Sequence, residues 1–312
     1  MKIVVMSDSH GKLGNLIDIG LMHKNADAFL FLGDGWRDFD DFKAAFDDKL
    51  CISVKGNCDL GCDEVTERIF ELGGKKVTLG ACCKGSGMIH PNMATMLCFM
   101  TTDCKISSAM LQKALSDTVK DTFNMISVDG DTSTNDMVCI MANGYADNDE
   151  ITEAAADFEI FKAALKEVSV KLSRLIAGDG EGAQRLLECT VKSAPDELTA
   201  KKIAKSIICS SLVKTAMFGS DANWGRILCA IGYTEGDFRV DTIDVYLSSC
   251  KGEIKVCENG FGIEFSEEKA KEILLEDEIA LTVCMNQGEY DATAWGCDLT
   301  YDYVKINGDY RT

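Results

Sequence analysis

Residues 84–97 read KGSGMIHPNMATML, and this stretch decides the interpretation of the whole sequence. Its two glycines and Pro91 predict a tight loop, because these residue types favour turns and restrict the backbone. Thr95 follows the small residue Ala94, so a strained peptide bond here would let the Thr95 hydroxyl attack the Ala94 carbonyl. The resulting ester would hydrolyse and leave Thr95 as the first residue of a new chain. The stretch therefore predicts self-cleavage between Ala94 and Thr95.

A threonine at a chain terminus carries its own base. The α-amino group has a reference pKa of about 8, so it can accept the proton of the hydroxyl near neutral pH. The Thr95 hydroxyl can then take an acyl group from a donor and pass it to an acceptor amine. This chemistry needs no histidine, which suits a chain with only three histidines. The alternative without function is that Thr95 is an ordinary buried loop threonine.

Five further segments carry motifs in a fixed order along the chain. They are 127–136 (SVDGDTSTND), 142–144 (ANG), 177–183 (AGDGEGA), 218–226 (FGSDANWGR) and 295–308, which includes WGCDLTY and YVKING. Together with the loop at 84–97 they resemble the bifunctional ornithine acetyltransferase/glutamate N-acetyltransferase family over about residues 78–312. The resemblance implies an α/β (α+β) fold that cleaves itself and uses a threonine nucleophile.

The same resemblance implies an acyltransferase of arginine biosynthesis. Acetyl would pass from N-acetylornithine, or from acetyl-CoA, to glutamate through an acetyl ester of Thr95, and no cofactor would be required. The implied partners are these small molecules, the second chain produced by the cut, and further copies of the same protein.

The resemblance also implies which residues contact the amino-acid substrate: Lys84, Thr95, Glu181, Asn307 and Thr312. Thr95 and Glu181 would be the catalytic residues. The Lys84 ammonium can neutralise a substrate carboxylate. Glu181 stands between two glycines, which allow close approach, and it can pair with a substrate ammonium or move protons. Taken alone, a lysine in a Gly-rich loop is usually solvated and a Gly-Glu-Gly triplet is usually a turn.

The sequence departs from the family pattern before this loop. Family members carry there a Thr-Gly pair that forms the oxyanion hole, and another substrate-binding threonine. Here the only threonines before Thr95 are Thr66 and Thr78, and neither is followed by glycine. Loss of an oxyanion donor lowers the rate of acyl transfer by about a hundred- to a thousand-fold. We therefore expect slow, incomplete cleavage, and a chimera without catalytic activity is one alternative.

The first part of the chain shows a different pattern. Apolar runs at 2–6, 28–32 and 51–54 predict strands, and the segments 12–24 and 38–48 between them predict helices. Strands that alternate with helices are typical of a parallel sheet. In such sheets the loops after the strands carry the chemistry.

Residue types that bind metals follow each of these strands. Asp8 and His10 follow the first, Asp34 the second and Asn57 the third. In this respect residues 1–77 resemble a truncated calcineurin-like metallophosphoesterase, which implies two metal ions bridged by Asp34. The later histidines of that family are missing, so we expect at most weak, partial occupancy by Mn or Zn. A metal-dependent phosphodiesterase is the second alternative function.

The composition limits the partners and the compartment. The formal net charge of −19 and the isoelectric point of about 4.6 disfavour binding to nucleic acid and to anionic membranes. The chain has fifteen cysteines, an odd number that cannot all pair within one chain, and many of them lie in apolar stretches. This pattern predicts free thiols. The chain has no run of roughly 18 apolar residues, and no signal peptide is predicted. We expect a cytoplasmic protein.

Hydrophobic periodicity predicts the elements of the second part, residues 78–312, which is expected to join the first part near 76–80. Predicted helices lie at 107–124, 150–176, 196–215 and 266–275. Predicted strands lie at 137–142, 185–192, 227–233, 241–247, 278–285 and 293–298. Because helices and strands do not alternate regularly, a mixed α/β arrangement is expected.

Overall fold

A computed structural model describes residues 2–6, 9, 12–31, 36–53, 66–85, 87–90, 96–132 and 136–309. The chain forms two compact units, Met1–Val65 and Thr66–Thr312. The boundary therefore lies before the junction predicted near 76–80. The reason is that residues 66–84 form a β-hairpin whose strands belong to the sheet of the second unit.

The first unit contains a small parallel sheet. Its elements are β1 (Ile3–Met6), α1 (Leu13–Met22), β2 (Ala28–Phe31), α2 (Trp36–Ala45) and β3 (Leu50–Ser53). The strand order is β1-β2-β3, and both neighbouring pairs are parallel. Phe29, Phe39 and Phe42 are fully buried between sheet and helices, with the Phe39 and Phe42 rings stacked at 5.3 Å between centroids. The predicted βαβαβ order is confirmed.

The second unit contains the remaining elements. In chain order they are β4 (Thr66–Leu72), β5 (Lys75–Lys84), β6 (Leu97–Thr102), α3 (Ser108–Val119), a 3-10 turn (Phe123–Met125), β7 (Ile126–Ser127), β8 (Met137–Ala142), α4 (Ala156–Gly178), β9 (Leu186–Ala194), α5 (Glu197–Cys209), α6 (Ser211–Phe218), α7 (Trp224–Gly232), β10 (Asp244–Ser249), β11 (Gly252–Glu258), β12 (Phe261–Gly262), α8 (Glu267–Leu274), β13 (Glu278–Cys284), β14 (Tyr290–Cys297) and α9 (Tyr301–Asp309).

These elements build two sheets that share one long helix. The smaller sheet has the order β4-β5-β6-β8, with β6 and β8 parallel, and the larger has the order β12-β11-β10-β13-β9-β14-β7. Helix α4 packs against β4 and β5 of the smaller sheet and against β9 and β14 of the larger one. Its buried side chains include Phe158, Phe161, Leu165, Val168 and Leu172, the face that the periodicity predicts. One apolar core therefore runs through the whole unit.

Two predicted elements differ from the structure. The predicted strand at 227–233 is wrong, because residues 227–232 lie in helix α7 and Tyr233 caps its end. The Asn223 side chain caps this helix by accepting from the Arg226 N–H, and Ile227, Ala230 and Ile231 are buried at helical spacing. The predicted helix at 196–215 is two helices, because Ser210 leaves the helical conformation and caps α6.

The structure also bears on the state of the cysteines and on membrane-spanning helices. All thirteen cysteines within the described ranges are free thiols. No helix in the described part of the chain is long and apolar enough to span a bilayer.

Candidate active site

The loop that holds the predicted nucleophile begins and ends at neighbouring points of the smaller sheet. Lys84 is the last residue of β5 and pairs in register with Leu97, the first residue of β6. A methyl group on Gly85 would lie 3.2 Å from side-chain atoms of Ile89 and of Ile176 in α4. The start of the loop is therefore packed closely against the last turns of α4.

Asp129 clamps the described part of this loop. Its carboxylate accepts the N–H of Met88 at 2.6 Å and the N–H of Ile89 at 3.0 Å. The Val128 N–H in turn donates to the Ile89 carbonyl at 2.7 Å. Met88 has a φ of 56°, a left-handed conformation that such bonds help to hold. From the sequence alone the segment around Asp129 is interpreted as scaffold, because its Asp-Gly-Asp triplet lacks the spacing of a full EF-hand calcium loop.

Glu181 lies against the same loop. It follows the end of α4, and its carboxylate occupies the space beside Gly87, where a methyl group would lie only 2.4 Å from the Glu181 Cδ. The Asn307 side-chain amide donates to the Glu181 Oε2 at 2.8 Å. Three segments far apart in the sequence, the loop, the end of α4 and helix α9, therefore meet at one carboxylate.

The turn that carries Glu181 is tied to the start of α9. Gly182 has a φ of +68°, and a methyl group there would lie 2.5 Å from the backbone nitrogen of Tyr303. The Thr300 hydroxyl donates to the Gly182 carbonyl at 2.6 Å and accepts the Tyr303 N–H at 3.3 Å. Because Gly182 has no side chain, the backbone of the Glu181 turn can approach the start of α9 closely.

A small polar cavity of about 100 Å³ adjoins this turn. It is lined by Ser127, Val128, Asp129, Gly130, Cys209, Ser211, Lys214, Leu299 and Tyr303. Burial, followed by the charges of Asp129 and Asp131, raises the pKa of Tyr303 to about 12. The Lys214 side chain is 3% exposed and donates to the Cys297 carbonyl at 2.5 Å.

His90 belongs to the loop but carries no charge near neutral pH. Burial, followed by the nearby Lys205 ammonium, lowers the pKa of His90 to about 4. Its Nδ1 lies 3.0 Å from the Ser127 hydroxyl and 3.5 Å from the Cys209 thiol. Lys205 donates to two carbonyls of residues 124–126, and burial lowers its pKa to about 8.

Asp136 lies at the other end of the loop. One oxygen of its carboxylate accepts the N–H of Met96, the residue after Thr95. Burial raises the pKa of Asp136 to about 6, and the bond from Met96 opposes this shift. Asp136 ends the motif at 127–136, but the sequence assigns it no role, because nothing in that motif indicates which backbone group the carboxylate holds.

The structure brings together only part of the predicted site. Glu181 and Asn307 are in contact, and Lys84 stands at the start of the loop whose Gly87 touches Glu181. Ala94, Thr95 and Thr312 lie outside the described residues, as do the predicted metal ligands Asp8, His10, Asp34 and Asn57. Within the described ranges, no group of three His, Cys, Asp or Glu side chains could hold a metal ion.

Sequence profiles and solved structures provide an independent comparison. A profile described as the ArgJ family matches residues 60–312. The protein "Arginine biosynthesis bifunctional protein ArgJ" of Caldanaerobacter subterraneus subsp. tengcongensis is 57% identical over 243 residues, which cover 78% of this chain and 60% of that protein. The protein "Arginine biosynthesis bifunctional protein ArgJ 1" of Clostridium acetobutylicum is 53% identical over 253 residues, which cover 80% of this chain and 62% of that protein. This chain thus spans about three fifths of the length of these relatives.

A solved structure supports the same comparison for the fold. The crystal structure of the arginine biosynthesis bifunctional protein argJ from Bacillus halodurans superposes with a TM-score of 0.64 at 45% sequence identity. The match covers 67% of this chain and 97% of that chain. The mixed α/β fold described above is therefore similar to that structure.

Proposed function

The chain belongs to the ArgJ family, and from this premise we propose that it is an acetyltransferase of arginine biosynthesis. In this proposal acetyl passes from N-acetylornithine, or from acetyl-CoA, to glutamate through an acetyl ester on Thr95. The Thr95 hydroxyl first attacks the Ala94 carbonyl, which breaks the Ala94–Thr95 peptide bond, frees the Thr95 amine and leaves an ester. Water then hydrolyses this ester and restores the hydroxyl. The same hydroxyl then takes acetyl from the donor and releases the donor amine or thiol, and the glutamate amine takes the acetyl in the second step.

The main structural support for this proposal is that Gly87 and Asn307 both contact the Glu181 carboxylate. The Glu181 carboxylate is held by the Asn307 amide beside the loop that Lys84 begins. In this proposal the Glu181 carboxylate binds the ammonium of an amino-acid substrate, and the Lys84 ammonium binds its carboxylate. The terminal Thr312 would complete the contacts to the substrate.

The pairing of β5 with β6 supports the association of the two chains that a cut would produce. Residues 79–84 pair with residues 97–102 in antiparallel register, one strand on each side of the Ala94–Thr95 bond. Because these hydrogen bonds do not depend on the intervening peptide bond, both fragments would stay in one sheet. Further assembly into a homo-oligomer belongs to the same proposal.

The intact mass of the purified chain tests the nucleophile. We expect the parent to show a fragment that begins at Thr95, together with intact protein. Thr95→Ala should leave only intact chain, and Thr95→Ser should keep some cutting because serine retains a hydroxyl. If Thr95→Ala is cut at the same bond, an outside protease makes the cut and the proposal loses its main support.

Acetyl transfer from N-acetylornithine to glutamate tests the second step. Glu181→Gln keeps the shape of the side chain and an oxygen for Asn307 but removes the charge. Transfer by this variant should fall by about a hundred-fold, the usual contribution of a positioned proton carrier, while the cut continues. A parent chain that is cut but transfers no acetyl would instead favour a chimera without catalytic activity.

A further inference from the structure

Met96, the residue that follows the proposed nucleophile, is held at three points. Its side chain is buried, with 1% of its surface exposed. Its N–H donates to Asp136, and its carbonyl accepts the Met137 N–H at 2.8 Å. From Leu97 onward the parallel pairing of β6 with β8 continues this attachment. The backbone directly after Thr95 is therefore fixed.

The bond to Asp136 concerns Thr95 itself, because the donor N–H belongs to the peptide bond that joins Thr95 to Met96. After a cut between Ala94 and Thr95, this peptide bond is the only covalent attachment that Thr95 keeps. New chain termini become mobile unless other contacts hold them. The Asp136 carboxylate thus acts on the one backbone group that orients Thr95 both before and after the cut.

The environment of Asp136 is unfavourable for a residue that serves stability alone. Its second oxygen, Oδ2, is buried and has no hydrogen-bond partner within the described part of the chain. Buried polar atoms are normally paired, and a buried carboxylate with an unpaired oxygen destabilises the folded state. Unfavourable groups of this kind occur mostly where function requires them.

We propose that Asp136 is a positioning residue for Thr95, both in self-cleavage and in acetyl transfer. By accepting the Met96 N–H it fixes the peptide plane on the C-terminal side of Thr95. We expect this attachment to restrain Thr95 both before the cut and, as the new terminus, after it. This inference rests on the proposed function, because it takes Thr95 as the nucleophile.

Asp136→Asn tests the inference with a small change. The amide has the same size and still offers an oxygen, but a hydrogen bond to a neutral acceptor is about half as strong as one to a carboxylate. We expect the fragment that begins at Thr95 to appear about tenfold more slowly, or slower still, at pH 8. Intact mass measured over time gives this rate. Asp147→Asn, a change at an exposed aspartate, serves as the control and should cut at the parent rate.

Thermal unfolding separates positioning from a structural role. The pKa of Asp136 is raised by burial to about 6, above its value of about 4 in an unfolded chain. Ionisation therefore penalises the folded state, fully above about pH 6 and not at all below about pH 4. In a Thr95→Ala background, where every chain is intact, Asp136→Asn should raise the unfolding midpoint at pH 7 and leave it unchanged at pH 4.

Three results would contradict the inference. Cutting of Asp136→Asn at the parent rate would show that the carboxylate does not position Thr95, while the proposed function stands. A loss of cutting together with a lower unfolding midpoint at pH 7 would show that Asp136 is a structural residue. A parent chain that is never cut would overturn the proposed function, and the inference with it.

Discussion

At the level of single residues, the candidate site depends on the absence of a side chain at Gly87. The Glu181 carboxylate fills the volume that a methyl group at this position would occupy. The Asn307 amide donates to the same carboxylate at 2.8 Å. The position of the carboxylate therefore depends both on Asn307 and on the missing side chain at Gly87.

Gly87→Ala should displace the Glu181 carboxylate. A methyl group 2.4 Å from the Glu181 Cδ is too close to be accommodated without movement. We expect kcat/KM for acetyl transfer to fall by about tenfold or more, because the carboxylate at the end of this flexible side chain would have to shift. Gly80→Ala in β5 is the matched control, since a methyl group there meets only the Thr101 hydroxyl at 3.7 Å. An unchanged kcat/KM in Gly87→Ala would show that the Glu181 position is not critical.

The sequence indicates some of these residues and not others, for a physical reason. The resemblance to the family implies roles for Glu181 and Asn307. Asp129 and Asp136 also stand in one of its motifs, but the resemblance implies no role for them. Asp129 and Asp136 act through backbone N–H groups about 40 residues away. Backbone donors have no sequence signature, so only the fold reveals what these two carboxylates hold.

At the level of elements, the predicted strand at 227–233 shows where periodicity fails. The segment is short and apolar, and such runs fit either a buried strand or a buried helix. The side chain of Asn223 favours the helix, because it accepts a backbone N–H that the first turn of a helix leaves without a partner. The strands of the first unit were predictable because turn residues and helical segments separate them.

The same capping chemistry divides α5 from α6 at Ser210. Its hydroxyl accepts the Val213 N–H at 3.4 Å. Ser210→Ala should lower the free energy of unfolding by about 1 kcal/mol, whereas Ser210→Gly should lower it by only a few tenths. Urea denaturation of the three proteins checks this order. A Ser210→Ala protein as stable as the parent would show that the hydroxyl does not stabilise the start of α6.

At the level of the whole molecule, the two sheets of the second unit are joined by α4. This helix packs on both sheets and ends directly before the Glu181 turn, so the core and the candidate site share one element. The sequence predicts the helix well, because its apolar face is long and regular. It does not predict that two sheets share it, since the pairing of strands far apart in the chain has no local signal.

The reactivity of the cysteines tests whether all thiols in the chain are free. Burial raises the pKa of the thiols of Cys98, Cys189 and Cys257, which keeps them protonated inside the core. We expect alkylation under denaturing, non-reducing conditions to label nearly all fifteen cysteines. A mass spectrum counts the labels, and the same reaction after reduction is the control. Several pairs of cysteines that react only after reduction would contradict this expectation.

If the chain is cut as proposed, the hydrogen bonds between β5 and β6 have a consequence for the lifetime of the cut molecule. Before the cut, the two strands are joined by a short loop, and an unfolded chain can find the same pairing again by itself. After the cut, unfolding separates two polypeptides, and refolding becomes a meeting of two molecules that depends on their concentration. The broken bond is not remade. A cut molecule therefore persists for as long as it avoids unfolding, and its lifetime is governed by a rate and not by an equilibrium.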